Sequence, residues 1–184
     1  MTLIRLAAAS AVFALLAACS PASEEDALPA LPSIDEVAAV ETPYDVDADA
    51  HGALDEAFAA ARANGTRVLV KFGGNWCPDC RIMAGMLQIP AIAEYLDAHY
   101  EYVAIDVGRY DNNMDVVARF GLEALEGVPT VIIATADGDI INTGTAAEWR
   151  TARSRDPRDV LTYLQTYADA PVPEGATRAV TTRP

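Results

Sequence analysis

Basic side chains are scarce in this sequence. Its 184 residues include 13 Lys+Arg against 27 Asp+Glu, which gives a formal net charge of −14, and Lys71 is the only lysine. Nucleic-acid binding requires a basic footprint, so this balance excludes that class of function. The sequence also lacks a P-loop and a G-x-G-x-x-G motif. We therefore predict no bound cofactor.

Metal ligands are equally few. Cys77 and Cys80 form one C-x-x-C pair within FGGNWCPDCR, and the only histidines, His51 and His99, lie on predicted helices distant in sequence. A structural zinc site needs four ligands, usually two such pairs or one pair with histidines. A purely structural disulfide is a poor interpretation too, because closing so short a loop removes little unfolded-state entropy. A redox pair is favoured, and no metal site is predicted.

The N-terminal apolar run is too short to span a bilayer as a mature helix. It covers Leu6 to Ala18, follows Arg5 and ends in LAAC, which is the pattern of a secretory signal peptide. The ending resembles the lipobox of bacterial lipoproteins, a family in which the peptide is removed and the cysteine is acylated. The alternative is a plain signal peptide with an accidental cysteine.

The lipobox resemblance implies a lipid anchor on Cys19 and a protein of the bacterial cell envelope that faces the periplasm. Acylation would also account for the third cysteine, since an odd free thiol is a liability in an oxidising compartment. Ser20 stands where lipoproteins retained at the inner membrane often have aspartate. The outer membrane is therefore favoured over the inner.

Composition divides the chain into four parts. Residues 1–18 are the predicted signal peptide, and residues 19–45 combine the lipidated cysteine with a flexible tether rich in proline, alanine and acids. Residues 46–170 carry regular hydrophobic patterns and form the predicted domain. Residues 171–184 show no periodicity and are predicted to be a disordered tail.

Within the domain the hydrophobic patterns predict the order α-β-α-β-α-β-β-α. The last two strands, PTVIIAT and IINTGT, are joined by Asp137-Gly138 and are predicted to form a hairpin. Alternating strands and helices that end in a hairpin imply an α/β fold with a mixed, four-stranded sheet covered by helices.

The C-x-x-C pair falls where a helix is predicted to begin. Cys77 would lie at its N-terminus, where free N–H groups and the helix dipole stabilise a thiolate and lower the cysteine pKa. Pro78 suits the first turn. Cys80 lies on the same face and can reach the first sulfur. Asp79 is expected to raise the pKa of Cys77 modestly or, alternatively, to be solvated and inconsequential.

The segment VLVKFGGNWCPDC resembles the active-site segment of the thioredoxin superfamily, and EGVPT, with Val128 and Pro129, resembles its cis-proline loop. The resemblance spans roughly residues 47–168 and implies a thioredoxin-like fold with a cis peptide before Pro129. It also implies that Cys77 attacks a substrate disulfide and that Cys80 resolves the mixed disulfide. Val128 would pair with an extended substrate segment, and Trp76 would pack beside the site.

The sequence departs from the family at two positions. Lys71 replaces an aspartate that many thioredoxins bury six residues before the first cysteine, and Gly85 replaces a proline five residues after the second. Lys71 could extend to the sheet edge with its stem on apolar neighbours. It could instead lie beneath the cysteines, where it would favour thiolate and lose its own proton readily.

These patterns predict a membrane-tethered thiol–disulfide oxidoreductase that acts on protein disulfides or thiols, more as a reductant than as an oxidant. It would use the Cys77–Cys80 disulfide and need re-reduction by a membrane electron-delivery protein. The alternative is a copper(I)-binding module that delivers the ion without disulfide turnover, because soft thiolates select copper(I).

Overall fold

The computed structural model of the protein describes residues 30–182, in which five α-helices and three β-strands are found. In chain order they are α1 (Ala50–Asn64), β1 (Arg67–Gly73), α2 (Pro78–Leu87), α3 (Pro90–His99), β2 (Tyr100–Asp106), α4 (Met114–Ala118), β3 (Thr130–Ala134) and α5 (Pro157–Ala168). Two 3-10 helices cover Ile34–Glu36 and Glu148–Ser154. The predicted signal peptide and Cys19 lie outside the described residues. None of the described helices has the length and apolar character needed to cross a membrane.

The sheet has the strand order β2-β1-β3 and is mixed, as predicted. The central strand β1 pairs in parallel with β2, where Val70 lies opposite Val103, and antiparallel with β3, where Val70 lies opposite Ile132. Every residue of β1 after Arg67 is buried, because helices cover both faces of a central strand in an α/β fold. The loop that follows β1, residues 74–77, is therefore anchored at the end of a buried central strand.

Alternation along β1 divides the core into two layers. Val68, Val70 and Phe72 belong to a cluster with residues of α1 and α4, whereas Leu69 belongs to a cluster with residues of α2, α3 and α5. Successive side chains of a strand point to opposite faces of the sheet. Lys71 therefore shares the face of Leu69, on the side where α2 lies.

The predicted fourth strand is wrong: the described sheet has three strands, not four. After the turn at Gly138, Ile140 makes only an isolated bridge to Ala134. Next to it the buried side chain of Asn142 takes the place of a strand. Its Oδ1 accepts from the Ile133 N–H at 2.7 Å, and its Nδ2 donates to the Val131 carbonyl at 2.7 Å. The amide side chain of Asn142 thus satisfies two backbone hydrogen-bonding groups at the outer edge of β3.

Residues 30–45, which we call the strap, pack on the domain instead of forming part of a flexible tether. Leu31, Ile34 and Val37 contact the core cluster on the α2 side of the sheet. Val40 then exchanges hydrogen bonds with Arg81 of α2, at 3.0 Å from its N–H and 3.2 Å to its carbonyl. The apolar residues recur every third position, a period that matches neither an α-helix nor a strand but suits the short 3-10 helix Ile34–Glu36 and the extended chain around it.

The strap also explains Gly85. A Cβ at this position would overlap the carbonyl oxygen of Ala38, so the strap can cross α2 only over a residue without a side chain. Helix α2 continues through Gly85 and ends at Leu87, and α3 begins with Pro90 in its first turn. The break between the two helices thus falls at residues 88–89, and Gly85 serves packing.

Part of the predicted disordered tail is also packed. The Ile140 N–H donates to the Thr177 carbonyl at 2.9 Å, and the Ala179 N–H donates to the Gly138 carbonyl at 2.8 Å. Arg178 holds both carboxylate oxygens of Asp139, at 2.8 and 3.0 Å. Residues 177–179 thus pair with the segment 138–140 that follows β3.

Candidate active site

Cys77 is the N-cap residue of α2. Its backbone is extended (φ −87°, ψ 116°), Pro78 fills the first helical position, and the Cys80 N–H donates to the Cys77 sulfur at 3.3 Å. A sulfur in this place receives hydrogen bonds from the N–H groups that a helix leaves unsatisfied at its start. The predicted placement at the helix N-terminus is therefore what the structure has.

Cys80 lies one turn further along α2 and is fully buried, and both cysteines are free thiols. The Cys80 thiol donates a hydrogen bond to the Cys77 sulfur, which, with the backbone N–H groups of Cys80 and Asp79, lowers the pKa of Cys77 to about 7. The same hydrogen bond, together with burial, raises the pKa of Cys80 far above its ordinary value. Near neutral pH the pair therefore consists of one partly ionised thiol and one protonated thiol.

The loop that precedes β3 lies against the first sulfur. The Val128–Pro129 peptide is cis, and the Cys77 thiol faces the Val128 carbonyl oxygen at an S···O distance of 3.5 Å. Residues 51 positions apart thus meet at the end of the sheet, because the antiparallel pairing of β3 with β1 places the start of β3 beside the end of β1. This arrangement leaves a backbone segment next to the reactive sulfur.

Trp76 directly precedes Cys77 in the chain and remains 42% exposed. Its indole N–H donates to the Gly108 carbonyl at 2.6 Å, and its ring contacts Tyr110 edge-on and the guanidinium group of Arg109 at 5.0 Å. The loop after β2 therefore fixes the tryptophan in place. The sequence offered no motif for this contribution of residues 108–110.

Comparison with known proteins agrees with this geometry. A family model described as thioredoxin-like matches residues 49–136. A thioredoxin from Alicyclobacillus acidocaldarius subsp. acidocaldarius is 32% identical over 79 residues, which cover 43% of this chain and 68% of that protein. The crystal structure of a disulphide isomerase from Xylella fastidiosa Temecula1 superimposes with a TM-score of 0.65 at 30% identity, over 69% of this chain and 97% of that one.

The chain belongs to the thioredoxin-like family. Members of this family generally act on thiols and disulfides of proteins. In this chain Cys77 and Cys80 are the two thiols that lie together at the start of α2. The expected fold and the expected family are thus both confirmed.

In this thioredoxin-like site Asp79 is 8% exposed and paired. Its Oδ1 accepts from the backbone N–H of Arg153 at 3.0 Å, and its Oδ2 lies 3.2 Å from the Arg153 guanidinium group. The carboxylate thereby ties α2 to the 3-10 helix Glu148–Ser154. Its charge raises the pKa of Cys77, while its backbone N–H lowers it, so the carboxylate is neither solvated nor a dominant influence on the thiol.

Lys71 lies beneath the cysteines and has no exposed surface, so it does not extend to the sheet edge. Its Nζ donates to the Cys80 carbonyl oxygen at 3.5 Å and lies 4.2 Å from the centre of the Tyr44 ring. Burial lowers the pKa of Lys71 to about 8, and the two nearby sulfurs oppose that shift. The family's buried aspartate is thus replaced by a buried base of opposite charge.

Tyr44, from the strap, completes the inner side of the site and was missed by sequence reasoning. It is 3% exposed. The Asn75 side chain bonds to both backbone groups of Tyr44. Its Oδ1 accepts from the Tyr44 N–H and its Nδ2 donates to the Tyr44 carbonyl, each at 3.0 Å. The only signal was a tyrosine at the end of a proline-rich segment, about 30 residues before the motif it serves.

Proposed function

We propose that the protein is a thiol–disulfide oxidoreductase in which Cys77 is the nucleophile and Cys80 the resolving thiol. The observation that carries this proposal is the Cys77 sulfur at the N-terminus of α2. It accepts the Cys80 N–H at 3.3 Å, has a pKa lowered to about 7 and lies beside the Val128 carbonyl. Thiolate is the species that attacks a disulfide, and this sulfur is substantially thiolate near neutrality.

In the reducing direction the Cys77 thiolate attacks one sulfur of a substrate disulfide. A Cys77–substrate disulfide forms, the substrate S–S bond breaks, and the first substrate thiolate leaves. Cys80 then loses its proton, and its thiolate attacks the Cys77 sulfur. The Cys77–Cys80 disulfide forms, the second substrate sulfur leaves, and the Cys80 proton ends on a released substrate thiolate. Two electrons pass from the dithiol to the substrate.

The loop at Val128 and Pro129 is the proposed substrate-binding segment. An extended substrate strand would pair with this backbone, a form of strand addition that needs few specific side chains. Trp76 would flank the bound strand because it directly precedes Cys77 in the chain and its ring is exposed. This mode suits a protein that meets disulfides in several different substrates.

The reducing direction is favoured because the Cys77 thiol is only moderately acidic. A couple becomes strongly oxidising when its reduced form is greatly stabilised, which requires a very acidic thiol. A pKa of about 7, to which the carboxylate of Asp79 contributes in the upward direction, lies far from that extreme. Reduction of envelope proteins would then require a membrane electron-delivery protein, which must return two electrons per cycle.

We further propose that Cys19 is acylated and that the protein faces the periplasm from the outer membrane, as the LAAC sequence and Ser20 favour. Mass spectrometry of the protein purified from membranes should find an acylated Cys19 as the N-terminal residue. A Cys19→Ala variant should appear in the soluble fraction with its disulfide-exchange activity unchanged. An unmodified Cys19 in membrane-free fractions would remove the anchor from the proposal.

Insulin reduction by the protein with a dithiol reductant tests the activity itself. The wild type should accelerate insulin precipitation, Cys77→Ser should lose that activity, and Cys80→Ser should accumulate mixed disulfides on Cys77 that identify substrates. Stoichiometric copper(I) binding without any turnover would instead support the metal-delivery alternative. Turnover that persists in Cys77→Ser contradicts the assignment of the nucleophile.

A further inference from the structure

We propose that Tyr44 is a positioning residue for the resolving step, and that its hydroxyl donates a hydrogen bond to the Cys80 sulfur when that sulfur becomes a thiolate. The inference rests on the proposed oxidoreductase function and adds to it a residue from the strap. No feature of the C-x-x-C motif predicts it, since Tyr44 lies 36 positions before Cys80 in the sequence.

The Tyr44 hydroxyl is buried, and it makes no well-formed hydrogen bond to any of residues 30–182. A buried hydroxyl without a partner destabilises a fold, so its retention calls for an explanation. The oxygen lies beside the Cys80 sulfur, and a Cβ placed on Gly73 would overlap with both atoms, the sulfur being 2.6 Å from it. The hydroxyl is therefore positioned to donate a hydrogen bond to a Cys80 thiolate, which is a stronger acceptor than the neutral thiol.

Three contacts fix the tyrosine in this orientation. Asn75 holds its backbone by the reciprocal pair of hydrogen bonds, and Lys71 lies against its ring at 4.2 Å from the centre. The strap that carries it is fixed to Arg81, which bonds to the Val40 carbonyl and pairs with Glu41 at 2.6 Å. A hydroxyl held this firmly needs little reorganisation when charge develops beside it.

Toward a Cys80 thiolate the tyrosine can act only as a donor. Burial and the charges of Cys80, Tyr102 and Cys77 raise the pKa of Tyr44 well above its ordinary value, so the hydroxyl keeps its proton throughout the cycle. Once it is made, a hydrogen bond from the Tyr44 hydroxyl lowers the pKa of Cys80, whose other neighbours mostly raise it. The Cys80 proton itself passes to a released substrate thiolate, as in the cycle above, and Tyr44 is not consumed or charged.

A single-turnover reaction with 5,5′-dithiobis(2-nitrobenzoate), followed by absorbance in a stopped-flow instrument, separates the two steps. The first thionitrobenzoate leaves when Cys77 attacks, and the second leaves when Cys80 resolves the mixed disulfide. In the full chain carrying Tyr44→Phe, the first phase should keep the wild-type rate within about twofold. The second should slow by roughly tenfold or more, as expected for a lost hydrogen bond to a charged group.

The pH profile and the thermal stability distinguish positioning from a merely structural role. In Tyr44→Phe the midpoint of the second phase should move to higher pH, while the melting temperature stays unchanged or rises, because the substitution removes an unsatisfied buried hydroxyl and keeps the ring over Lys71. The matched control is Tyr100→Phe, whose hydroxyl donates to the Leu164 carbonyl at 2.5 Å on the far side of the domain. It should lower stability and leave both phases unchanged.

Equal slowing of both phases in Tyr44→Phe, or an unchanged second phase, would overturn the inference. These outcomes differ from a failure of the proposed function, in which the wild type itself would release no thionitrobenzoate through Cys77. A wild type with two phases, both insensitive to Tyr44→Phe, removes only the tyrosine and leaves the oxidoreductase intact.

Discussion

The reactive sulfur of this protein is set by its immediate neighbours on α2. The thiol of Cys80 and two backbone N–H groups all point at Cys77, so most of the shift in its pKa arises within four residues of sequence. Lys71 and Tyr44 come from β1 and the strap and surround the second sulfur. The two sulfurs of one motif thus have different environments, one made locally and one made by the fold.

The first prediction concerns Lys71. Replacing it with methionine removes the positive charge beneath the cysteines, so the pKa of Cys77 should rise from about 7 by about one unit. The pH dependence of iodoacetamide alkylation measures this shift. Arg67→Met, at the other end of β1, removes a similar charge and should leave the thiol titration unchanged. A thiol pKa unaffected by Lys71→Met removes the lysine from the mechanism.

The same substitution has a defined effect on stability. Because the pKa of Lys71 is about 8 in the folded protein and near 10.5 when solvated, the unfolded chain binds more protons between those pH values. The contribution of Lys71 to the free energy of unfolding is therefore unfavourable below pH 8 and improves up to about pH 10.5. Lys71→Met should be more stable at pH 7, by roughly 3 kcal/mol, and lose that advantage toward pH 10.5 in urea titrations.

Much of the site could be predicted from short motifs, and the rest could not. The placement of Cys77 at a helix start, with Pro78 in its first turn, follows from local rules that operate over a few residues. The cis peptide at Pro129 required resemblance to a family. Tyr44 and Asn75 meet across 31 positions through hydrogen bonds between the Asn75 side chain and the Tyr44 backbone, and no periodicity or spacing marks a contact of that kind.

At the scale of elements, the edge of β3 depends on a side chain where a strand was expected. The run IINTGT has a β-branched start that favours a strand, and it does begin as one at Ile140. Asn142 ends the pairing because its amide reproduces the donor and acceptor of a backbone unit and also receives support from Tyr163, at 2.7 Å. Strand propensity alone cannot predict that a side chain pairs with this edge, since a neighbouring strand would satisfy the same two backbone groups.

The second prediction follows from this edge. Asn142→Ala leaves the Ile133 N–H and the Val131 carbonyl buried without partners, so the free energy of unfolding should fall by about 2–4 kcal/mol. Urea denaturation measures the loss. Asn64→Ala, which removes an exposed asparagine bonded to Glu101, should change stability by less than about 0.5 kcal/mol. Comparable effects at the two positions would mean that the amide of Asn142 is dispensable to the edge.

On the scale of the whole molecule, the strap makes the N-terminal segment part of the domain. It places apolar residues on the core at every third position and brings Tyr44 to the second sulfur. Sequence reasoning assigned it to a tether because prolines and acids separate those apolar residues, and each covers little surface by itself. The boundary expected at residue 46 would have divided a single packed unit.

The third prediction tests the close contact between the strap and α2 at Gly85. Gly85→Ala should gain helix propensity, yet the new methyl group would meet the Ala38 carbonyl, so the free energy of unfolding should fall by about 1–3 kcal/mol. Limited proteolysis should then cut within residues 30–45. Gly144→Ala, with no neighbour within 4 Å of its new Cβ, should behave as the wild type. Resistance of Gly85→Ala to cleavage would show that the strap tolerates the added group.

The course of the strap along α2 also determines how an anchored molecule would be oriented. Tyr44 lies near the first turn of the helix, Val40 beside Arg81 and Ala38 beside Gly85, so the chain travels away from the dithiol as it runs toward its N-terminus. The N-terminal end of the described strap therefore lies beyond Gly85, away from the dithiol, and an attachment at that end would leave the loop of Val128 beside Cys77 uncovered.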